Sequence, residues 1–157
     1  MSGESDEFCD PRDLKRIGNR LESSGPVSSG ELCFLPMSGS FNPIHTQHVR
    51  VLEVAKLHCE SRGQKIIGAF LSPSSDDYVR EKLGSEALSF QKRRSLCQLA
   101  IEKWDWASVC TRGELSSNWA QGAVHHDLQA YLGNRTDAVC IVTAVELVTR
   151  EANETAR

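Results

Sequence analysis

Residues 32–48 read Leu32-Cys33-Phe34-Leu35-Pro36-Met37-Ser38-Gly39-Ser40-Phe41-Asn42-Pro43-Ile44-His45-Thr46-Gln47-His48. An apolar run gives way to a turn of small residues, and the turn opens into the first residues of a helix. A helix that begins just past the carboxyl end of a strand aims its unpaired N–H groups at one spot. Those donors, with the positive end of the helix dipole, form a ready phosphate site. His45 and His48 are three positions apart on the opening turn, so they share a helix face. The expected feature is a phosphate cradle with imidazoles turned into it. Gly39 and Ser40 are expected to let a ligand approach the backbone closely, since glycine carries no side chain. Arg50, one turn further on, is either within reach of a phosphate or a solvated surface arginine.

Outward from this stretch, strands alternate with helices. Ile44, His48, Val51, Leu52, Ala55 and Cys59 fall on one helical stripe, which would place His48 on the inner side. Lys65-Ile66-Ile67-Gly68-Ala69-Phe70-Leu71, ended by Ser72-Pro73, fits a buried parallel strand. A second helix is expected over 87–104, with Leu96, Cys97, Ala100 and Trp104 inward. A third strand is expected over 106–110 and a fourth over 138–142. Between them Trp119, Ala123, Val124, Leu128 and Tyr131 suggest a further helix. The expected fold class is therefore α/β, a Rossmann-like parallel sheet with helices on both faces, incomplete on its C-terminal side. Ligands of such sheets bind outside the carboxyl ends of the strands, at a switch in strand order, and the turn at Gly39 would lie there.

Three regions are expected. Residues 1–30 form an acidic, flexible leader in which Asp10-Pro11 starts a short helix with Leu14, Ile17 and Leu21 at helical spacing. Residues 31–148 form the α/β domain, and 149–157 a polar tail. The formal charge of −3 on 157 residues, with no long Lys/Arg block, argues against a nucleic-acid partner. No apolar run approaches the roughly 18 residues of a membrane helix, so no membrane partner is expected. The six cysteines are scattered and mostly lie in apolar segments, as reduced core cysteines would. Together these point to an intracellular protein, of cytoplasm or nucleus. A zinc site on the histidine pair is disfavoured, because no third ligand stands at metal spacing.

The run Gly39-Ser40-Phe41-Asn42-Pro43-Ile44-His45-Thr46-Gln47-His48 resembles the nucleotidyltransferase signature G-[ST]-F-[DN]-P-x-[HT]-x-x-H. More narrowly, the chain resembles the eukaryotic nicotinamide/nicotinate mononucleotide adenylyltransferases. Two further blocks carry this: Ser72-Pro73-Ser74-Ser75-Asp76-Asp77-Tyr78, and Arg93-Arg94-Ser95-Leu96-Cys97-Gln98-Leu99-Ala100 followed by Trp104-Asp105-Trp106. The resemblance implies adenylyl transfer from ATP to nicotinamide or nicotinate mononucleotide, giving NAD or its deamido form and pyrophosphate. It implies Mg²⁺ travelling with ATP, His48 and His45 stabilising the phosphates, and ATP contacts at Gly39, Ser40 and Phe41. It places the mononucleotide near Tyr78, Arg80 and Lys82 in the loop beyond the second strand, with Arg80 where the family has a lysine.

The sequence also departs from the family. Arg112, in Cys110-Thr111-Arg112-Gly113-Glu114, stands where the family has a tryptophan, and Thr143-Ala144-Val145 replaces a Gly-Ala-Asp turn. A C-terminal Ser-[ST]-x-x-[RK] motif that grips ATP has no counterpart. A catalytically inactive nucleotide-binding or partner-binding module therefore stays open beside the enzyme, its open sheet edge suited to a homo-oligomer. So does an adenylyl- or cytidylyltransferase with another acceptor, although the block at 72–78 argues against that.

Overall fold

The computed structural model describes residues 11–23, 32–110 and 139–141. Its centre is a four-stranded sheet in the order β3-β2-β1-β4, with β1 Leu32–Gly39, β2 Lys65–Pro73, β3 Ala107–Val109 and β4 Val139–Ile141. Every pairing is parallel, which places the sheet in the α/β, Rossmann-like class expected. β1 is buried from Leu32 through Met37 and β2 from Ile66 through Pro73. Covered on both faces, these two strands have no solvent side to encode, and so read as nearly unbroken apolar runs. Their register slips once, between Cys33 and Phe34.

On one face, Cys33, Leu35 and Met37 join Ala69, Leu71, Ala107 and Val109. Helix α2, Thr46–Ser61, sets Leu52, Ala55 and Cys59 against them, and α4, Phe90–Ile101, adds Cys97 and Ile101. Helix α1, Pro11–Ser23, packs on β2 from the other face, burying Leu14 and Ile17. Gly68 makes room for it: a Cβ there would lie 3.2 Å from Ile17 Cγ1. Arg16 donates to the Ala107 carbonyl and Ser108 Oγ, and Arg20 to the Ile66 carbonyl. A helix from the expected leader is thus docked on the sheet. Cys33, Cys59, Cys97 and Cys110 are buried, and burial pushes the Cys97 thiol up to about 12.

The region after β2 differs from the sequence expectation. In place of a loop and one helix over 87–104 there are two helices, α3 Asp76–Leu83 and α4, joined through a 3-10 turn at Gly84–Glu86. Gly84, at φ +59°, ends α3, a conformation that suits glycine. Ser89 starts α4 by accepting the Lys92 N–H, and that start fixes the helix phase. Cys97 faces inward as expected, but Leu96 and Ala100 are exposed; the buried positions are Arg93, Cys97 and Ile101, spaced by four. Trp104 lies past the helix end, partly buried on the core. The helix expected between the third and fourth strands lies outside the described residues.

Strand order locates the crevice. The chain steps outward from β1 to β2 to β3, and β4 pairs on the opposite side of β1. The switch therefore falls at β1, and its carboxyl end is Gly39. Among the described residues no helix is long and apolar enough to cross a membrane.

Candidate functional site

The turn after β1 is shaped by Phe41. Its backbone has φ +45°, rare for a bulky residue, and its ring is 2% exposed. The ring lies over Gly39, where a Cβ would be 3.3 Å from Cε1 and Cζ. The space left by the glycine's missing side chain is thus occupied by the Phe41 ring. The phenylalanine ring belongs to the core, so only its backbone is available to a ligand.

His45 and His48 occupy the start of α2 as a reciprocal pair of caps. His45 is the N-cap residue, and the Gln47 N–H donates to its Nδ1 at 3.2 Å. The His45 N–H in turn donates to Nδ1 of His48 at 3.1 Å. The arrangement copies the capping box, with imidazoles in place of the usual hydroxyl and carboxylate. The two rings stack with centroids 3.8 Å apart, and His48 meets Phe41 edge-on at 5.1 Å. Because each Nδ1 accepts a backbone hydrogen, the neutral ring carries its proton on Nε2. Burial, and then the charge of His45, hold His48 below the usual histidine range. The helix N-terminus disfavours a cation there as well. With Nδ1 engaged, each ring presents an Nε2–H donor that has no partner among the described residues.

Behind the turn lies a hydrogen-bonded frame. Asn42 Nδ2 donates to the Glu86 carbonyl at 3.0 Å, and its Oδ1 accepts the Leu88 N–H at 2.7 Å. The Ser74 N–H donates to the Gly39 carbonyl at 2.8 Å. Arg93, wholly buried, donates through Nη1 to Ser40 O (2.9 Å), Nη2 to Ser74 O (2.8 Å) and Nε to Leu88 O (3.0 Å). Asp76 lies 3.4 Å from Nη2 and accepts the Phe90 N–H at 2.7 Å. The loops after β1 and β2 are therefore joined through one guanidinium. Sequence reasoning missed Arg93 because a charged helix residue reads as solvated. The signal was its spacing of four from Cys97 and eight from Ile101, two core positions.

The other expected site residues stand apart from this frame. Tyr78, Arg80 and Lys82 lie on α3 rather than in a loop; Ser75 caps that helix by accepting the Tyr78 N–H. Tyr78 and Lys82 are exposed, and Arg80, 64% exposed, pairs loosely with Asp76 and Asp77 at 3.7 and 3.9 Å. Arg50 is exposed and paired with Glu53 at 3.3 Å, the solvated alternative. No hydrogen bond or ion pair joins these four residues to the histidines among the described residues. Ser72 Oγ and Cys110 Sγ, 3.1 Å apart, close the buried ends of β2 and β3. Among the described residues no group of three or more His, Cys, Asp or Glu could hold a metal ion. The departures at Arg112 and at Thr143-Ala144-Val145 lie outside the described residues.

No family model matches the chain. It is 37% identical over 75 residues to "Nicotinamide/nicotinic acid mononucleotide adenylyltransferase" of Oryza sativa subsp. japonica, covering 48% of this chain and 28% of that protein. The corresponding protein 1 of Bos taurus is 34% identical over 86 residues, 54% of this chain and 29% of the relative. That of Arabidopsis thaliana is 32% identical over 88 residues, 55% and 35% respectively. The chain thus spans about a third of the length of the curated relatives it matches.

Proposed function

We propose that the chain is a member of the nicotinamide/nicotinic acid mononucleotide adenylyltransferase family and that it transfers the adenylyl group of ATP to nicotinamide or nicotinate mononucleotide. A 5′-phosphate oxygen of the mononucleotide attacks the α-phosphorus of ATP. The bond from that phosphorus to the bridging oxygen breaks, and pyrophosphate leaves with the electron pair. Such a reaction asks the protein for alignment and for neutralisation of charge on oxygen, with no covalent intermediate.

The observation that carries this reading is the pair of capped imidazoles at the switch point. A neutral Nε2–H on His48, with His45 beside it, donates to phosphate oxygens without exchanging a proton. The positive end of the α2 dipole, with the backbone of Gly39, Ser40 and Phe41, extends the same field. Arg50 reaches the triphosphate if it gives up Glu53. Tyr78, Arg80 and Lys82 lie on the helix beyond β2, and their exposed ends are available to the mononucleotide. Mg²⁺ enters with ATP as part of the substrate and keeps most of its waters.

The test is incubation of the chain with ATP, Mg²⁺ and each mononucleotide in turn. Dinucleotide and pyrophosphate are expected, and both should vanish in His48→Ala. The replacement of the family's tryptophan by Arg112, and of Gly-Ala-Asp by Thr143-Ala144-Val145, favours a second reading: ATP binding without turnover. Tight MgATP binding with no product identifies that outcome.

A further inference from the structure

Burying a guanidinium is costly unless its donors are satisfied, and Arg93 meets that condition with backbone carbonyls rather than with a carboxylate alone. Its Nη1 and Nη2 engage Ser40 O and Ser74 O, one from each loop that follows a central strand. In a trans peptide the N–H points opposite to the C=O of the same plane, and the cis bond among the described residues is Asn42–Pro43 alone. Drawing those two carbonyls onto the guanidinium therefore turns the N–H groups of Phe41 and Ser75 away from it. Neither N–H has a hydrogen-bond partner in the described protein.

We propose that Arg93 is a positioning residue of the nucleotide site, fixing the outward aim of the Phe41 and Ser75 N–H donors and the spacing of their loops. The proposal rests on the function given above and assigns the site a support outside the signature motif. A lysine could neutralise the same charge, but it has no planar fork with which to hold two carbonyls at once.

The experiment compares the intact chain with Arg93→Lys and with Ile101→Ala, a cavity variant one helix turn beyond Cys97. Melting temperature, MgATP affinity, and kcat and KM for dinucleotide formation are measured for each. Arg93→Lys is expected to lower kcat by about 10²-fold, with a smaller change in KM, because misplaced donors act on the reacting phosphate. Ile101→Ala should lower the melting temperature and leave kcat in place. A variant at position 93 that keeps wild-type kcat, or that loses activity only in step with its melting temperature as Ile101→Ala does, overturns the proposal.

Should Arg93→Lys not fold, amide NMR of the unmutated chain decides. Titration with MgATP is expected to move the Phe41 and Ser75 resonances, and the Arg93 Nη groups should give separate signals, as a clamped guanidinium does. Unmoved amides or a freely rotating guanidinium reject the positioning role. If the unmutated chain neither binds MgATP nor forms dinucleotide, the reading of the site fails and this role falls with it. If the unmutated chain turns over and these signatures are absent, only the role of Arg93 fails.

Discussion

Gly39 and Phe41 occupy one another's space: a Cβ on the glycine would come within 3.3 Å of the phenylalanine ring. That ring in turn bears on the edge of His48. A small residue at the end of β1 thus sets the position of an imidazole on the next helix, through one aromatic ring. The glycine of the turn is explained by packing before any ligand is considered.

A methyl group at position 39 tests this chain of contacts. In Gly39→Ala the ring must shift by a few tenths of an ångström, from a backbone already held at φ +45°. Overpacking of this kind costs about 1–3 kcal/mol. The expected result is a lower urea midpoint together with weaker MgATP binding. Unchanged binding in a destabilised variant would separate the glycine from the histidines.

Asn42 is the second test, because its side chain both donates and accepts across the same gap. Asn42→Ala leaves the Glu86 carbonyl and the Leu88 N–H to find water, at about 1–2 kcal/mol. Asn42→Asp keeps the acceptor for Leu88 but faces the Glu86 carbonyl with a second oxygen, so its loss should be intermediate. Denaturant midpoints of the three proteins give the order directly, and an aspartate variant as stable as asparagine would contradict it.

Much of this arrangement was legible in the sequence, and the exceptions have physical causes. β1 and β2 announce themselves because burial on both faces leaves nothing but apolar side chains. The histidines stood out because they lie three apart at a helix start within the run 39–48, but their use as reciprocal caps of α2 was not read from it. Helix α3 escaped notice since Val79 is its one buried residue, and a single position has no period. The docking of α1 was hidden for another reason. Leu14 and Ile17 mark an amphipathic helix, but its seat depends on the gap at Gly68, which belongs to the partner strand. Arg93 was passed over because charge outweighed spacing in the reading of α4, and only the carbonyls around it reverse that judgement.

Acid should weaken the fold through His48. Its pKa in the folded chain lies below the ordinary 6.5, so the unfolded chain binds the proton more tightly. Its contribution to stability is present above pH 6.5 and is lost as the pH falls from there through the folded value. Protonating Nδ1 would also remove the acceptor for the His45 N–H. His48→Gln keeps a capping acceptor at that position without a titrating ring. The expected outcome is a flatter stability profile between about pH 5 and 7 for the variant. An identical slope in both proteins would assign the acid sensitivity elsewhere.

His45 allows capping and chemistry to be pulled apart. As the N-cap residue of α2 it accepts the Gln47 N–H through Nδ1. His45→Ala removes that acceptor and should cost about 1 kcal/mol. His45→Asp restores an acceptor of a type that helix starts favour, and its charge suits the dipole, so the melting temperature should recover. The same carboxylate, however, places a negative charge where the triphosphate is proposed to lie and removes one Nε2–H donor. MgATP affinity should therefore fall below that of His45→Ala even though the aspartate protein is the more stable of the two. Calorimetric titration of both variants beside their melting curves checks the inversion. If affinity instead tracks stability, the phosphate lies away from the start of α2, and the histidine pair is a cap alone.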